Sequence, residues 1–197
     1  IANGAGADSV AIGAASGAVG NCSIAIGDNA VTRGLGDIAI GHYANDTVPS
    51  SGNYNITIGD GANDYSVALG GYNVALGFSS STKSSSCSIA IGSQTGANGA
   101  GTYNNGAISI GYRANYHATT INIGVDSIAI GSAANSAGAN SIAIGCNAKS
   151  IGASDVVLGT QAMGSATGGN CNIALGYQSL FSNTTGADNV ALGRLAM

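Results

Sequence analysis

Tyrosine is the residue type in this 197-residue chain whose clustering first points to chemistry. Seven of the eight tyrosines lie between Tyr43 and Tyr116, in a chain with two Phe and no Trp. A tyrosine offers a flat ring and a hydroxyl group, which suit the recognition of sugars or proteins. The richest stretch is GYRANYHATT (111–120). We predict a receptor-binding surface that includes Tyr43, Tyr103, Tyr112, Arg113, Tyr116 and His117.

A purely structural role for the tyrosines is the alternative, because tyrosines also flank strands and cover coil edges. Tyr54, Tyr65 and Tyr72 fit that description.

Catalytic and metal-binding patterns are missing from the sequence. The two histidines, His42 and His117, stand in loop-like stretches, and the nine carboxylates form no pair at a spacing that suits acid–base chemistry. No Cys-x-x-Cys pair offers metal ligands, and no GK[ST] follows the glycine-rich GANGAG (96–101) to make a phosphate loop. We predict a non-enzymatic protein with no cofactor and no metal site.

The four cysteines do not form a disulfide framework at this chain length. Cys22, Cys87 and Cys171 hold the same place in three motif copies, CSIAIG, CSIAIG and CNIALG, and Cys146 follows a fourth copy. We interpret them as small buried residues with free thiols, with disulfides as the alternative. Free thiols fit assembly in a reducing cytoplasm.

The composition restricts the partners. A formal net charge of −4 with five Lys plus Arg leaves no basic patch for nucleic acid. No apolar stretch approaches the ~20 residues of a transmembrane helix, so we predict no membrane insertion within this segment.

A short motif, small–β–small–β–Gly, recurs along the whole chain. Its first β position is always Ile or Val and its second is Ile or Leu, two residues later, which is the spacing of a strand with both side chains on one face. The closing glycine predicts a turn with positive φ. Fourteen copies close on Gly13, Gly27, Gly41, Gly59, Gly70, Gly77, Gly92, Gly111, Gly124, Gly131, Gly145, Gly159, Gly176 and Gly193.

The spacing of these glycines predicts the architecture. Fourteen residues is the base period, seven is half of it, and fourteen residues accommodate two short strands and two tight turns. A three-sided β-helix would need roughly eighteen residues per coil. We therefore predict an all-β, parallel β-roll (a β-solenoid) with two-strand coils. The second wall carries small residues three positions after the glycine, at Ala30, Ala44, Ala62, Ala114, Ala134, Ala148, Ala162, Ser16 and Ser179.

Alanine usually stands between the two aliphatic residues of a motif copy. We place the aliphatics inside the roll and this alanine outside, where a stripe of small residues suits close approach by another chain. The alternative is a weakly selected Gly/Ala-rich exterior. The predicted interface between chains consists of Ala11, Ala25, Ala39, Ala68, Ala75, Ala90, Ala129, Ala143, Ala174 and Ala191.

The motif copies DSVAIG (8–13), CSIAIGDNA (22–30) and NSIAIGCNA (140–148) resemble the head repeats of trimeric autotransporter adhesins of the YadA type. The resemblance implies a left-handed parallel β-roll, a homotrimer, and an alanine wall facing the trimer axis. The segment NIALGYQSLFSNTTGADNVALG (172–193) is more similar to repeats of bacteriophage tail fibres.

We predict a single repeat array over 1–197, with regular coils at about 1–41 and 124–159, loop-bearing coils at about 42–123 and longer coils at about 160–197. Its expected function is that of a rigid extracellular fibre module that presents loops to a glycan or protein receptor on a host surface. A virion tail fibre is slightly favoured, and the head of a bacterial cell-surface adhesin is the alternative. Further alternatives are a passive spacer of a filament and an ice-binding solenoid, although outward threonine is present only at Thr57.

Overall fold

The computed structural model describes residues 3–4, 6–45, 52–63, 70–82, 85–96, 105–116 and 123–197. Two compact units, residues 1–98 and 99–197, divide the chain. The described residues form only short strands and turns, without a helix, which confirms the predicted all-β parallel β-solenoid.

The strands of the first unit are β1 (Asn3–Gly4), β2 (Val10–Ile12), β3 (Gly17–Ala18), β4 (Ile24–Ile26), β5 (Val31–Thr32), β6 (Ile38–Ile40), β7 (Ile56–Ile58), β8 (Val74–Leu76) and β9 (Ile89–Ile91). Those of the second are β10 (Ile108–Ile110), β11 (Ile128–Ile130), β12 (Asn135–Ser136), β13 (Ile142–Ile144), β14 (Lys149–Ser150), β15 (Val156–Leu158), β16 (Ile173–Leu175) and β17 (Val190–Leu192).

The three-residue strands of each unit stack in parallel, motif on motif. In the first unit Ile24 pairs with Ile38 and Ala25 with Ala39. In the second unit Ala129 pairs with Ala143 in the same way. Because the pairing is in register, each position of the motif forms a column of equivalent side chains along the stack.

The length of a coil varies more than the sequence period suggested. Ile24 and Ile38 are fourteen residues apart, whereas the next pair in the ladder, Ile38 and Ile56, is eighteen apart. Fourteen-residue coils carry a two-residue strand on the second wall, such as Val31–Thr32. In longer coils a residue with left-handed backbone stands there instead, such as Asn115 with φ 52°. The second wall therefore absorbs the extra residues while the first wall keeps its register.

Two of the fourteen closing glycines, Gly70 and Gly124, belong to the second wall. They stack in a separate glycine column, because a Cβ on Gly52 would meet the carbonyl of Gly70 and a Cβ on Gly124 would meet that of Gly138. Most of the motif residues before these two glycines lie outside the described residues. The half-period of seven residues thus marks the opposite side of one coil and adds no coil to the stack.

The middle alanines lie inside the roll, so the predicted orientation of the strands was wrong. Ala25, Ala39, Ala75, Ala129, Ala143 and Ala174 are fully buried, Ala90 and Ala191 are nearly so, and Ala11 is partly exposed in the first three-residue strand. Ala68 lies outside the described residues. Because their own chain already covers them, the eight buried alanines are not available as an interface between chains.

The reason for the inversion is the thickness of a fourteen-residue coil. The second wall is built of small residues, as predicted, and Ala30, Ala134 and Ala148 are fully buried. Two walls joined by such short turns lie close together, and alanine facing alanine fills the space between them. Isoleucine would overpack it.

The aliphatic residues consequently face outward. We call the first and third residues of the three-residue strands the aliphatic face. Most are half-buried, and the most exposed include Ile12 at 56%, Val190 at 65% and Leu192 at 64%. The members are, in the first unit, Val10, Ile12, Ile24, Ile26, Ile38, Ile40, Ile56, Ile58, Val74, Leu76, Ile89 and Ile91, and in the second, Ile108, Ile110, Ile128, Ile130, Ile142, Ile144, Val156, Leu158, Ile173, Leu175, Val190 and Leu192.

The twelve closing glycines that follow the three-residue strands adopt the predicted positive φ, whereas Gly70 and Gly124 do not, so the prediction was wrong for these two. The φ values of the twelve run from 117° to 143°, a region that side-chain-bearing residues avoid. The glycines also stack closely: a Cβ on Gly27 would lie 2.6 Å from the carbonyl carbon of Gly41. Glycine is therefore required here by backbone conformation and by the distance between coils.

Buried polar side chains form a second column, at the residue before most of the three-residue strands. In the first unit Oδ1 of Asp37 accepts hydrogen bonds from the backbone N–H of Asn55 at 2.9 Å and from its Nδ2 at 3.2 Å. Oδ1 of Asn55 accepts the same pair from Asn73. In the second unit Asp155 and Asn172 repeat the arrangement. These bonds link successive coils inside the roll.

Burial raises the pKa of Asp37 and of Asp155 above the ordinary 3.8, and hydrogen bonds from Asn55 and Asn172 only partly oppose the effect. A raised pKa in the folded state means that the protonated carboxyl favours folding. This contribution is full below pH 3.8 and is lost as the pH rises through the folded pKa.

We expect the thermal midpoint of the chain to fall as the pH rises above about 4, and Asp37→Asn with Asp155→Asn to flatten that slope. The asparagine side chains carry no charge to bury, but they lose the hydrogen bonds that the backbone N–H groups of Gly34 and Gly152 donate to the two carboxylates, at every pH. Circular dichroism melts between pH 4 and 8 measure the slope. Asp188→Asn, at an exposed carboxylate, is the control. An unchanged slope in the double variant would contradict the assignment.

Among the described residues, none forms a helix of the length and apolarity that crossing a bilayer requires.

Candidate functional site

Tyr112, Arg113 and Tyr116 form a cluster in the turn that follows Gly111. Arg113 has a left-handed backbone, with φ 55°. Its guanidinium carbon lies 4.7 Å from the ring centroid of Tyr116 and 5.5 Å from that of Tyr112. Both distances are within the range of cation–π attraction. The turn therefore holds three of the six predicted receptor-binding residues together.

A groove of about 370 Å³ opens beside this cluster, entirely within the second unit. Among the residues that the structure describes, eight line the groove, and of these two are cationic and none is acidic. The lining consists of Arg113, Tyr116, Ala133, Asn135, Asn147, Ala148, Lys149 and Gly164.

Coil stacking assembles the groove from distant parts of the sequence. The backbone N–H of Asn115 donates to the carbonyl oxygen of Ala134, which sets the turn of Tyr116 on the coil of Asn135. Asn135 in turn pairs with Lys149 across the parallel strands β12 and β14. Three successive coils thus contribute an aromatic, an amide and a cation to one surface.

Asn135 stands out because the Nδ2 atom of its side chain is buried and unsatisfied among the described residues. The residue is 4% exposed, and its neighbours Ala134 and Ser136 point into the roll. Strand alternation therefore turns Asn135 outward, toward the groove that it lines. Within the described part of the chain, Nδ2 of Asn135 has no hydrogen-bond partner. A buried donor without an acceptor costs roughly 1–3 kcal/mol.

The other predicted binding residues do not join this cluster. Tyr43 belongs to the first unit, where its ring is edge-on to that of His42 at a centroid distance of 4.1 Å. Nδ1 of His42 lies 3.1 Å from Oδ1 of Asp60, and its Nε2 lies 3.8 Å from Oδ2 of Asp28. Tyr103 and His117 fall outside the described residues.

The tyrosines proposed as edge covers do form a structural pair. The rings of Tyr54 and Tyr72 stack with centroids 5.5 Å apart and planes at 21°. The carbons of the Tyr54 ring pass so close to Gly36 that a Cβ there would lie 2.7 Å away. Tyr65 lies outside the described residues.

Asn135, Asn147 and Lys149 were missed as site residues by sequence reasoning. They are nineteen or more residues from the Tyr112–Tyr116 cluster, and no motif connects them with it. The coil register held the necessary signal, since twenty residues separate Gly111 from Gly131 and fourteen separate Gly131 from Gly145. Adding these lengths places Asn135 and Lys149 beside Asn115.

The cysteines are free thiols, as predicted, but all four are exposed, so their predicted burial was wrong. Cys22, Cys87 and Cys171 have φ between 53° and 59° in the turn that precedes a strand, and this turn points them outward. No group of three or more metal-ligating His, Cys, Asp or Glu side chains occurs among the residues that the structure describes.

Comparison with known protein families agrees with the repeat geometry. The family model described as the YadA head domain repeat (2 copies) matches residues 5–30, 18–44 and 123–148. The chain contains YadA head domain repeats.

The matched YadA head repeats cover fourteen-residue coils of both units, including Asn135 and Asn147 of the groove. The matched repeats suggest an adhesin-like structural module. No curated protein matches the chain.

Proposed function

We propose that the chain is a homotrimeric, left-handed β-roll that is exposed on a virion or bacterial surface and attaches it to a host surface. The YadA head repeats support the adhesive role, since this family is typically homotrimeric and binds host surfaces. The role requires no catalysis.

The aliphatic face is the observation on which the trimer rests. Each unit presents six stacked strands with two outward aliphatic side chains apiece, and no charged residue interrupts them. Large apolar patches of this kind mark protein interfaces. If each half-buried side chain gains about 1 kcal/mol on burial, one unit contributes on the order of 10 kcal/mol per chain. The interface between chains is therefore assigned to the isoleucines, valines and leucines and not to the alanines.

The aliphatic face carries Ile, Val and Leu and no threonine, which argues against an ice-binding role. That role favours regular outward ranks of threonine. Thr57, the threonine in the middle position of the motif, is 1% exposed and points into the roll.

A virion tail fibre is the more specific form of this proposal. Two features favour it over an autotransporter head. The first is the seventeen-residue coils, which pair Val156 with Ile173 and Ile173 with Val190. The second is the four exposed thiols, which suit assembly in a reducing cytoplasm. Sequencing the gene on both sides of this segment distinguishes the two, since a phage fibre adjoins a baseplate-binding segment and an autotransporter a membrane anchor.

Two measurements test the proposal: the mass of the assembly in solution and the attachment of the purified chain to host cells. Light scattering during size-exclusion chromatography should give three times the chain mass of 18.9 kDa, and dilution to micromolar concentration should not change it. The purified chain, immobilised on beads, should retain them on host cells, whereas beads with a heat-unfolded chain should not be retained. A folded monomer at micromolar concentration, or beads that are not retained, would contradict the proposal.

A further inference from the structure

We infer that the groove beside Tyr116 binds a carboxylate-bearing sugar, such as a uronic or sialic acid residue of a surface glycan. This inference rests on the proposed adhesive function and names the ligand class for one site on the module.

The charge of the groove selects an anion. The chain has nine Asp plus Glu against five Lys plus Arg, yet two of those five cations, Arg113 and Lys149, are among the described residues that line this groove. They lie thirty-six residues apart in the sequence and are brought to one groove by the stacking of three coils. A guanidinium fork binds a carboxylate with two parallel hydrogen bonds, and an ammonium adds a second charge.

The other lining residues select a sugar among anions. Tyr116 supplies an aromatic ring on which the apolar face of a sugar can lie. The amides of Asn135 and Asn147 both donate and accept, which matches the hydroxyl groups of a sugar. A small inorganic anion would leave the ring and these amides unused. The volume of about 370 Å³ lies within the range of small-molecule sites.

The unsatisfied amide of Asn135 is the independent observation that points to a ligand. Its Nδ2 is buried and, among the described residues, has no acceptor. A hydroxyl or carboxylate oxygen seated against Asn135 would supply that acceptor. The arrangement is that of a donor positioned before its ligand arrives, so binding recovers a hydrogen bond that the unliganded chain lacks.

The test compares matched sugars on the intact chain. Methyl β-glucuronide and the methyl glycoside of N-acetylneuraminic acid are each titrated into the chain at low salt, and binding is followed by NMR. Methyl β-glucoside is titrated in the same way as the neutral comparison. We expect both acidic sugars to bind at least tenfold more tightly than the neutral glucoside. Arg113→Gln and Lys149→Gln should each weaken the acidic sugars by about five- to tenfold and leave the neutral glucoside unchanged.

Arg194→Gln is the matched control variant. Its guanidinium carbon lies 5.6 Å from the ring centroid of Tyr177, a pair like that of Arg113 and Tyr112, but neither residue lines the groove. The acidic sugars should bind this variant as they bind the unmodified chain. Circular dichroism checks that each variant is folded.

Several results would overturn the inference: no binding of either acidic sugar, equal binding of the neutral glucoside, or an equal loss in the Arg194 variant. Inorganic phosphate binding as tightly as the glucuronide would also overturn it, because the groove would then be a general anion site. Trimer mass and cell attachment are measured separately. If both persist while the acidic sugars fail to bind, the inference fails and the proposed function stands.

Discussion

Ala143→Asp is expected to unfold the second unit, with a loss of at least about 3 kcal/mol in the free energy of unfolding. Ala143 is fully buried and belongs to one core cluster with Val157 and Ala174, which are the middle residues of the three-residue strands of the next two coils. The opposite wall places Ala148 in the same cluster. A carboxylate in this space has neither room nor a partner for its charge.

Urea unfolding followed by circular dichroism measures the loss. Ala187→Asp is the matched control, because Ala187 is exposed in the same unit and an added carboxylate there remains in water. The control should differ from the unmodified chain by less than about 0.5 kcal/mol. If Ala143→Asp were as stable as Ala187→Asp, the inward orientation of the alanine column would be wrong.

Gly145→Ala is the second substitution with a large expected effect. Gly145 has φ 135°, and an added Cβ would lie 2.5 Å from the carbonyl oxygen and 2.6 Å from the carbonyl carbon of Gly159. Neither atom can retreat, because both belong to the backbone of the next coil. Strain and crowding together should cost about 3 kcal/mol or more, which lowers the thermal midpoint by roughly 6–12 °C.

The same unit offers a control for this methyl group. A Cβ on Gly168 would meet no atom within 4 Å, and its φ is not positive. Gly168→Ala should therefore leave the midpoint unchanged or raise it slightly. Equal midpoints for the two variants would mean that the closing glycine is not required by the geometry of the stack.

The strands and turns of this fold could be predicted from local rules. The Ile-Ala-Ile spacing predicts a strand at Ile24–Ile26, and glycine at position 27 predicts the positive φ that follows it. The fourteen-residue spacing predicts the register of Ile24 on Ile38. Each of these signals depends on the conformation of a few consecutive residues.

The inner and outer faces could not be assigned in the same way. A period of two places Ile24 and Ile26 on one face and Ala25 on the other, but it does not say which face the coil encloses. The rule that larger apolar residues are buried fails here because a single coil is too thin to hold them. The space available was a property of the whole coil, set by the small residues of both walls.

The candidate site illustrates the same limit. The tyrosine-rich composition of 111–116 predicts a binding surface, and Arg113 does lie within cation–π range of the rings of Tyr112 and Tyr116. Lys149 and Asn135 carry no local signal, because they reach the groove through the lengths of the intervening coils. Only the register of the stack relates them.

Cysteine cross-linking tests the central claim most directly: alanines face the inside of one chain and aliphatic residues face its neighbours. In a chain whose four native cysteines are replaced by serine, single cysteines are placed at position 142, 143 or 144 and oxidised mildly. The account predicts disulfide-linked dimers on denaturing gels for Ile142→Cys or Ile144→Cys and none for Ala143→Cys. Cross-linking through position 143, with none at 142 or 144, would contradict it.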